Sequence, residues 1–145
     1  MKIILPLLIL TTLMFSSCDS RKNNGGHSHD EHTGGNQALY DEVMNVHDEV
    51  MPKMDDIYKL KEQLKRQITD APNMVQEKRK AIETAILRLD SASDGMMVWM
   101  RNFNPLPDSL GEEQARQYLE DEKKKVTRVK EDMLEAIDEA KSLQR

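Results

Sequence analysis

From Leu39 onward, apolar side chains return every third or fourth residue, a spacing that a helix can bury on one side and a strand cannot. Leu39, Val43, Val46, Val50, Ile57, Leu60 and Leu64 alternate steps of four and three, with one step skipped at Lys53. A second stripe of Tyr40, Met44, His47, Met51, Met54 and Tyr58 runs beside it, so the apolar face is wide enough to meet two neighbours. Pro52 has no N–H to give the Asp48 carbonyl, which predicts a kink rather than a break, since the seam continues on both sides. The same rhythm returns in Val75, Ile82, Ala85, Leu89, Ala92, Met96, Trp99 and Phe103. It returns again in Ala115, Leu119, Val126, Val129, Met133, Ala136, Ala140 and Leu143.

The connections carry helix-stop and helix-start chemistry. Asp70-Ala71-Pro72-Asn73 offers Asp70 or Asn73 as a cap, Asn104-Pro105-Leu106-Pro107 ends the second run, and Ser109 with Glu112 has capping-box spacing. Helices are therefore expected at about 38–69, 73–103 and 110–143 within a folded part spanning 37–145. The simplest closure is an all-α, up-down-up three-helix bundle with coiled-coil-like seams, roughly 45 Å long at 1.5 Å per residue. The same seams would also serve a coiled coil between chains, because a heptad does not say whether its partner is in cis. Pro52, Gly95 and the two loops favour the single-chain version. Glu120–Lys124 and Asp121–Lys125 read as i, i+4 pairs on the outer face of the last helix.

Ahead of the helices stand two segments of other composition. Met1 and Lys2 precede an apolar run from Ile3 to Phe15, too short for a comfortable membrane span, followed by Ser16 and Ser17. Residues 1–17 read as an export signal. Phe15-Ser16-Ser17-Cys18 resembles the lipobox of bacterial lipoproteins, with Phe15 where that family usually has Leu. The resemblance implies that Cys18 is lipidated and becomes the first mature residue. The cysteine count agrees, because a single cysteine in an exported chain can form no internal disulfide. Several acyl chains, at about 0.8 kcal/mol per buried methylene, would make a lasting anchor. Residues 18–36 hold four of the six glycines and no large apolar side chain, so they read as a disordered tether. Its 18 residues after the cysteine would span roughly 25 Å.

Charge narrows the partners. Removing Lys2 with the signal leaves 20 basic against 26 acidic residues, a net −6, which argues against nucleic acid. The expected partners are a membrane, through lipidated Cys18, and an envelope protein. Catalysis finds little support: His47 is the one histidine in the helical part, no phosphate loop, H-E-x-x-H or Cys-x-x-Cys motif occurs, and the carboxylates fall on outer faces. No cofactor is required by the sequence.

Two sets of side chains could nonetheless hold metal. His27, His29 and His32, with Asp30 and Glu31, suit a labile Zn(II), Cu(II) or Ni(II) ion, or are merely a polar spacer. Met44, His47, Met51 and Met54 share one helical face, a soft set for Cu(I) or Ag(I), and Met97, Trp99 and Met100 lie on the second helix, where the indole could cap a cation. Met44-Asn45-Val46-His47 and His47-Asp48-Glu49-Val50-Met51 look like the Met-x-x-His and His-x-x-x-Met spacings of periplasmic silver- and copper-binding helices. The competing reading is packing, since methionine is an adaptable core filler.

The stretches 46–54, 96–103 and 118–133 resemble a group of short bacterial lipoproteins, some labelled viral A-type inclusion protein. The resemblance implies an anchored helical protein and no activity. The expectation is thus a lipid-anchored, non-enzymatic helical interaction or structural module of the bacterial cell envelope. The alternative is an envelope soft-metal binder.

Overall fold

The computed structural model describes residues 34–105 and 110–144; the signal segment, Cys18, His27, His29 and His32 lie outside the described residues. The regular structure is helical throughout: α1 (Gly34–Val50), α2 (Lys53–Asp70), α3 (Gln76–Asn102) and α4 (Glu112–Ser142). None of the described helices is long and apolar enough to cross a membrane.

Pro52 interrupts the first arm for two residues without diverting its seam. Met51 N still donates to the His47 carbonyl (2.9 Å), Pro52 keeps helical angles (φ −59°, ψ −21°), and Met54 N then reaches back three residues to Met51 O (3.1 Å). The missing proline N–H is passed over by one tighter turn. Val43 and Val50 before the turn, and Ile57, Leu60 and Leu64 after it, are all buried. Tyr58, expected on the second stripe, is instead 65% exposed.

The helix ends depart from the expected bounds for local reasons. α1 starts at Gly34, inside the expected tether, because Asn36 is buried and its Nδ2 donates to the Glu112 carbonyl (3.0 Å). α2 stops where Ala71 precedes Pro72, a position pushed out of helical angles (φ −124°, ψ 70°). Neither Asp70 nor Asn73 caps α3: Met74 N closes a turn onto Ala71 O (3.0 Å), and the helix begins only after Val75. Met74 packs against the core there, and Val75, expected in the seam, is left exposed. In α4 the cap position is Gly111, Ser109 lies outside the described residues, and the acidic first turn, Glu112 and Glu113, suits the positive end of the helix dipole.

These segments form a helical bundle. α4 packs on each of the other three helices, and α2 also packs on α3. Leu64, Ile82, Leu89, Leu119, Val126 and Met133 are completely buried, each large side chain contributing about 1.5–3 kcal/mol. Contacts between the first arm and α4 join residues at a nearly constant separation. Asn36–Glu112 and Gln67–Leu143 are 76 apart, and Glu42–Lys123 and Glu49–Lys130 are 81 apart. Contacts along α3 behave oppositely, the separation shrinking from 51 at Arg88–Glu139 to 23 at Trp99–Glu122 and 14 at Asn104–Tyr118.

The outer face of α4 is paired at i, i+3 more than at the expected i, i+4. Lys124 meets Asp121 (2.9 Å), Lys125 meets Glu122 (2.7 Å), and Arg116 bridges Glu113 and Glu120 (2.6 Å each). The hydrogen bonds from Arg116 and Lys124 hold the Glu113 and Asp121 carboxyls below their ordinary values.

Candidate functional site

The chemistry-bearing side chains gather where the C-terminal part of α1, the last turns of α3 and the N-terminal half of α4 meet. Trp99 lies on the inward face of α3, 6% exposed, and its indole Nε1 donates to Glu122 Oε2 across the interface (2.9 Å). Glu122 is itself only 5% exposed. The seam of α4 steps from Leu119 to Val126, and the residue that fills the intervening turn is Glu122, so its carboxylate is carried inward with the seam. This overturns the expectation that carboxylates fall only on outer faces. The second oxygen of Glu122 accepts from Lys125 Nζ (2.7 Å), and that hydrogen bond holds the Lys125 ammonium above the ordinary lysine value.

Around this buried pair four aromatic side chains make a cluster. Trp99 stacks on Phe103 (centroids 4.8 Å apart, planes at 20°), and Phe103 is flanked by Tyr40 of α1 (6.2 Å) and Tyr118 of α4 (6.4 Å). The Tyr118 hydroxyl accepts from Asn104 N (2.8 Å), which satisfies a backbone group just beyond the end of α3. Such stacked pairs add about 0.5–1.5 kcal/mol each beyond the area they bury.

His47 closes the cluster from α1. Its ring centroid is 5.7 Å from that of Trp99, with the planes inclined at 35°, and its side chain is 16% exposed. Nδ1 lies 2.8 Å from Asp48 Oδ1 and Nε2 lies 3.3 Å from Met100 Sδ. A carboxylate only accepts, so the Asp48 contact is Nδ1–H donating to Oδ1, and Nε2 is the ring nitrogen turned toward the thioether.

Of the residues singled out by sequence, His47, Trp99 and Met100 are brought together. Met44 is half-buried one turn before His47, whereas Met51 and Met54 pack against the core. Met97 is 39% exposed, while its neighbour Met96 is completely buried. Among the described residues no three His, Cys, Asp or Glu side chains stand together as metal ligands. Sequence reasoning missed Glu122 and Asn36. The signal for the first was the step skipped between Leu119 and Val126, opposite the one tryptophan in the chain.

Elsewhere, a half-open groove of about 220 Å³ runs between α3 and α4, lined by small residues such as Ser91, Ala92, Gly95 and Ala136, with Arg88, Asp132 and Glu135 at its rim. Leu87 (67% exposed) and Val98 (46%) stand beside it on the same face of α3 as Ser91. No protein family, curated protein or solved structure matches the chain.

Proposed function

We propose that the chain is a lipid-anchored, non-enzymatic interaction or structural module of the bacterial cell envelope. In this reading the residues beyond 37 form an up-down-up three-helix bundle with coiled-coil-like seams. The constant separations between the first arm and α4 support a parallel course for those two, and the shrinking separations along α3 support an antiparallel one.

The observation that carries the interaction role is the outer side of α3, where Leu87 and Val98 stay in water beside a groove of small residues. Such a groove lets a helix or extended segment approach the backbone closely, and the exposed apolar pair would anchor it. The lipobox-like Phe15-Ser16-Ser17-Cys18 supports attachment to a membrane through Cys18, with residues 19–33 as the spacer that leaves this face free. Two measurements test the reading. Cys18→Ser should move the protein from the membrane to the soluble fraction. A photo-crosslinking residue at position 98, but not one at position 58, should trap a discrete adduct in intact cells. Unchanged membrane partition overturns the anchor, and equal, diffuse crosslinking from both positions overturns the docking face.

A further inference from the structure

We propose that His47 Nε2 and Met100 Sδ form the core of a soft-metal site for Cu(I) or Ag(I), completed by the Met44 thioether. Asp48 Oδ1 accepts from Nδ1–H, so Nε2 is the ring nitrogen turned inward, 3.3 Å from Met100 Sδ, and the two atoms converge as one nitrogen and one sulfur donor. An imidazole nitrogen and a thioether sulfur thus meet in a partly buried setting. Imidazole nitrogen and thioether sulfur together make a soft donor pair, and a soft monovalent metal ion bonds to both atoms. The Asp48 contact then serves as the outer support that fixes ring orientation and raises the basicity of the liganding nitrogen.

The spacing suits a shared ion with room for one more donor. With bonds of about 2.0 Å to nitrogen and 2.3 Å to sulfur, taken from zinc sites, donors 3.3 Å apart subtend roughly 100° at the metal. That is a bent pair, not a closed linear one, so a third ligand fits. Met44 stands one helical turn from His47 and is half-buried, so its unbranched side chain reaches the gap by rotation about its own bonds. Met51, on the other side of His47, packs against the core, as Met100 does where it meets the ring. The Trp99 ring, 5.7 Å from the imidazole, puts a π system beside the charge and keeps water off one side.

The site is independent of the docking face on α3 and of the anchor, so either can fail without the other. The test uses the full chain with Cys18→Ser and with His27, His29 and His32 replaced by alanine, which removes the competing thiol and tether imidazoles. Silver(I) is added while methionine methyl resonances and Trp99 emission are followed. One equivalent should shift the Met100 and Met44 methyls selectively, quench Trp99 and raise the melting temperature, while Zn(II) at the same concentration should do none of these. Met100→Leu, which conserves volume and apolarity, should weaken silver binding at least tenfold and leave the metal-free melt nearly unchanged. His47→Gln should weaken it similarly. Silver that shifts all eight methionines of the mature part alike, or that binds equally well to Met100→Leu, overturns the site. The methyl shifts are read on a chain with residues 34–145 unaltered, so they report on the site even if a variant fails to fold.

Discussion

At Glu122 a charged side chain occupies a seam position and is kept there by two donors, the Trp99 indole and the Lys125 ammonium. The lysine end is open to water, so most of the consequence lies at the tryptophan. Removing the acceptor strands a buried N–H, which costs about 1–3 kcal/mol. Glu122→Ala should therefore lower unfolding stability by that amount, read by chemical denaturation. Glu122→Gln, which still offers an amide oxygen, should retain more than half of it. Equal losses in the two variants would show that lost packing, and not the indole hydrogen bond, is what matters. The pair also confers specificity: with only one tryptophan in the chain, Glu122 has one deep donor to find, which fixes the rotation of α4 against α3.

At the scale of single helices, α3 carries a glycine in its interior that the packing does not demand. A β-carbon at Gly95 would meet Val129 Cγ1 at 4.0 Å, an ordinary van der Waals contact. Since glycine in mid-helix costs roughly 0.5–1 kcal/mol relative to alanine, Gly95→Ala should stabilise the fold by that amount, seen as a higher denaturation midpoint with an unchanged slope. A loss of stability instead would mean that the groove needs its open floor. The helices and most of their buried faces were legible as period alone, because Val43, Val50, Ile57, Leu64, Ile82, Leu89 and Leu119 obey it without exception. Period is silent, however, about where backbone hydrogen bonds begin. Val75 keeps the rhythm yet lies outside α3, since a turn at Ala71–Met74 consumes the residues that would have started the helix. Period is equally silent about register between helices. His47 and Met100 could each be placed on an inward face by counting. That they meet each other depends on how α1 slides along α3, which the turn at Pro52 and the loop at 71–75 decide together.

For the whole molecule the question left by heptad patterning is whether the seams close in one chain or between chains. α4 is the deciding element, because it packs on α1, α2 and α3 of its own chain. Its seam positions Leu119, Val126, Met133 and Ala140 are completely buried by those contacts, so no inward stripe remains to recruit a second copy. The ion pairs Glu42–Lys123 and Glu49–Lys130 lie on the flank of the same interface, where a coiled coil between chains would place its own pairing charges. Unfolding should accordingly be unimolecular. Thermal melts followed by circular dichroism should give one midpoint across a hundredfold range of protein concentration, for the full chain carrying Cys18→Ser. A dimer that dissociates on unfolding would behave otherwise. Each tenfold dilution removes about 1.4 kcal/mol from such an equilibrium, so a hundredfold removes about 2.8 kcal/mol, enough to lower the midpoint by several degrees in a domain of this size. A midpoint that falls with dilution would assign the seams to neighbouring chains, and the fully buried positions of α4 would then have to be covered by a partner instead of by α1, α2 and α3.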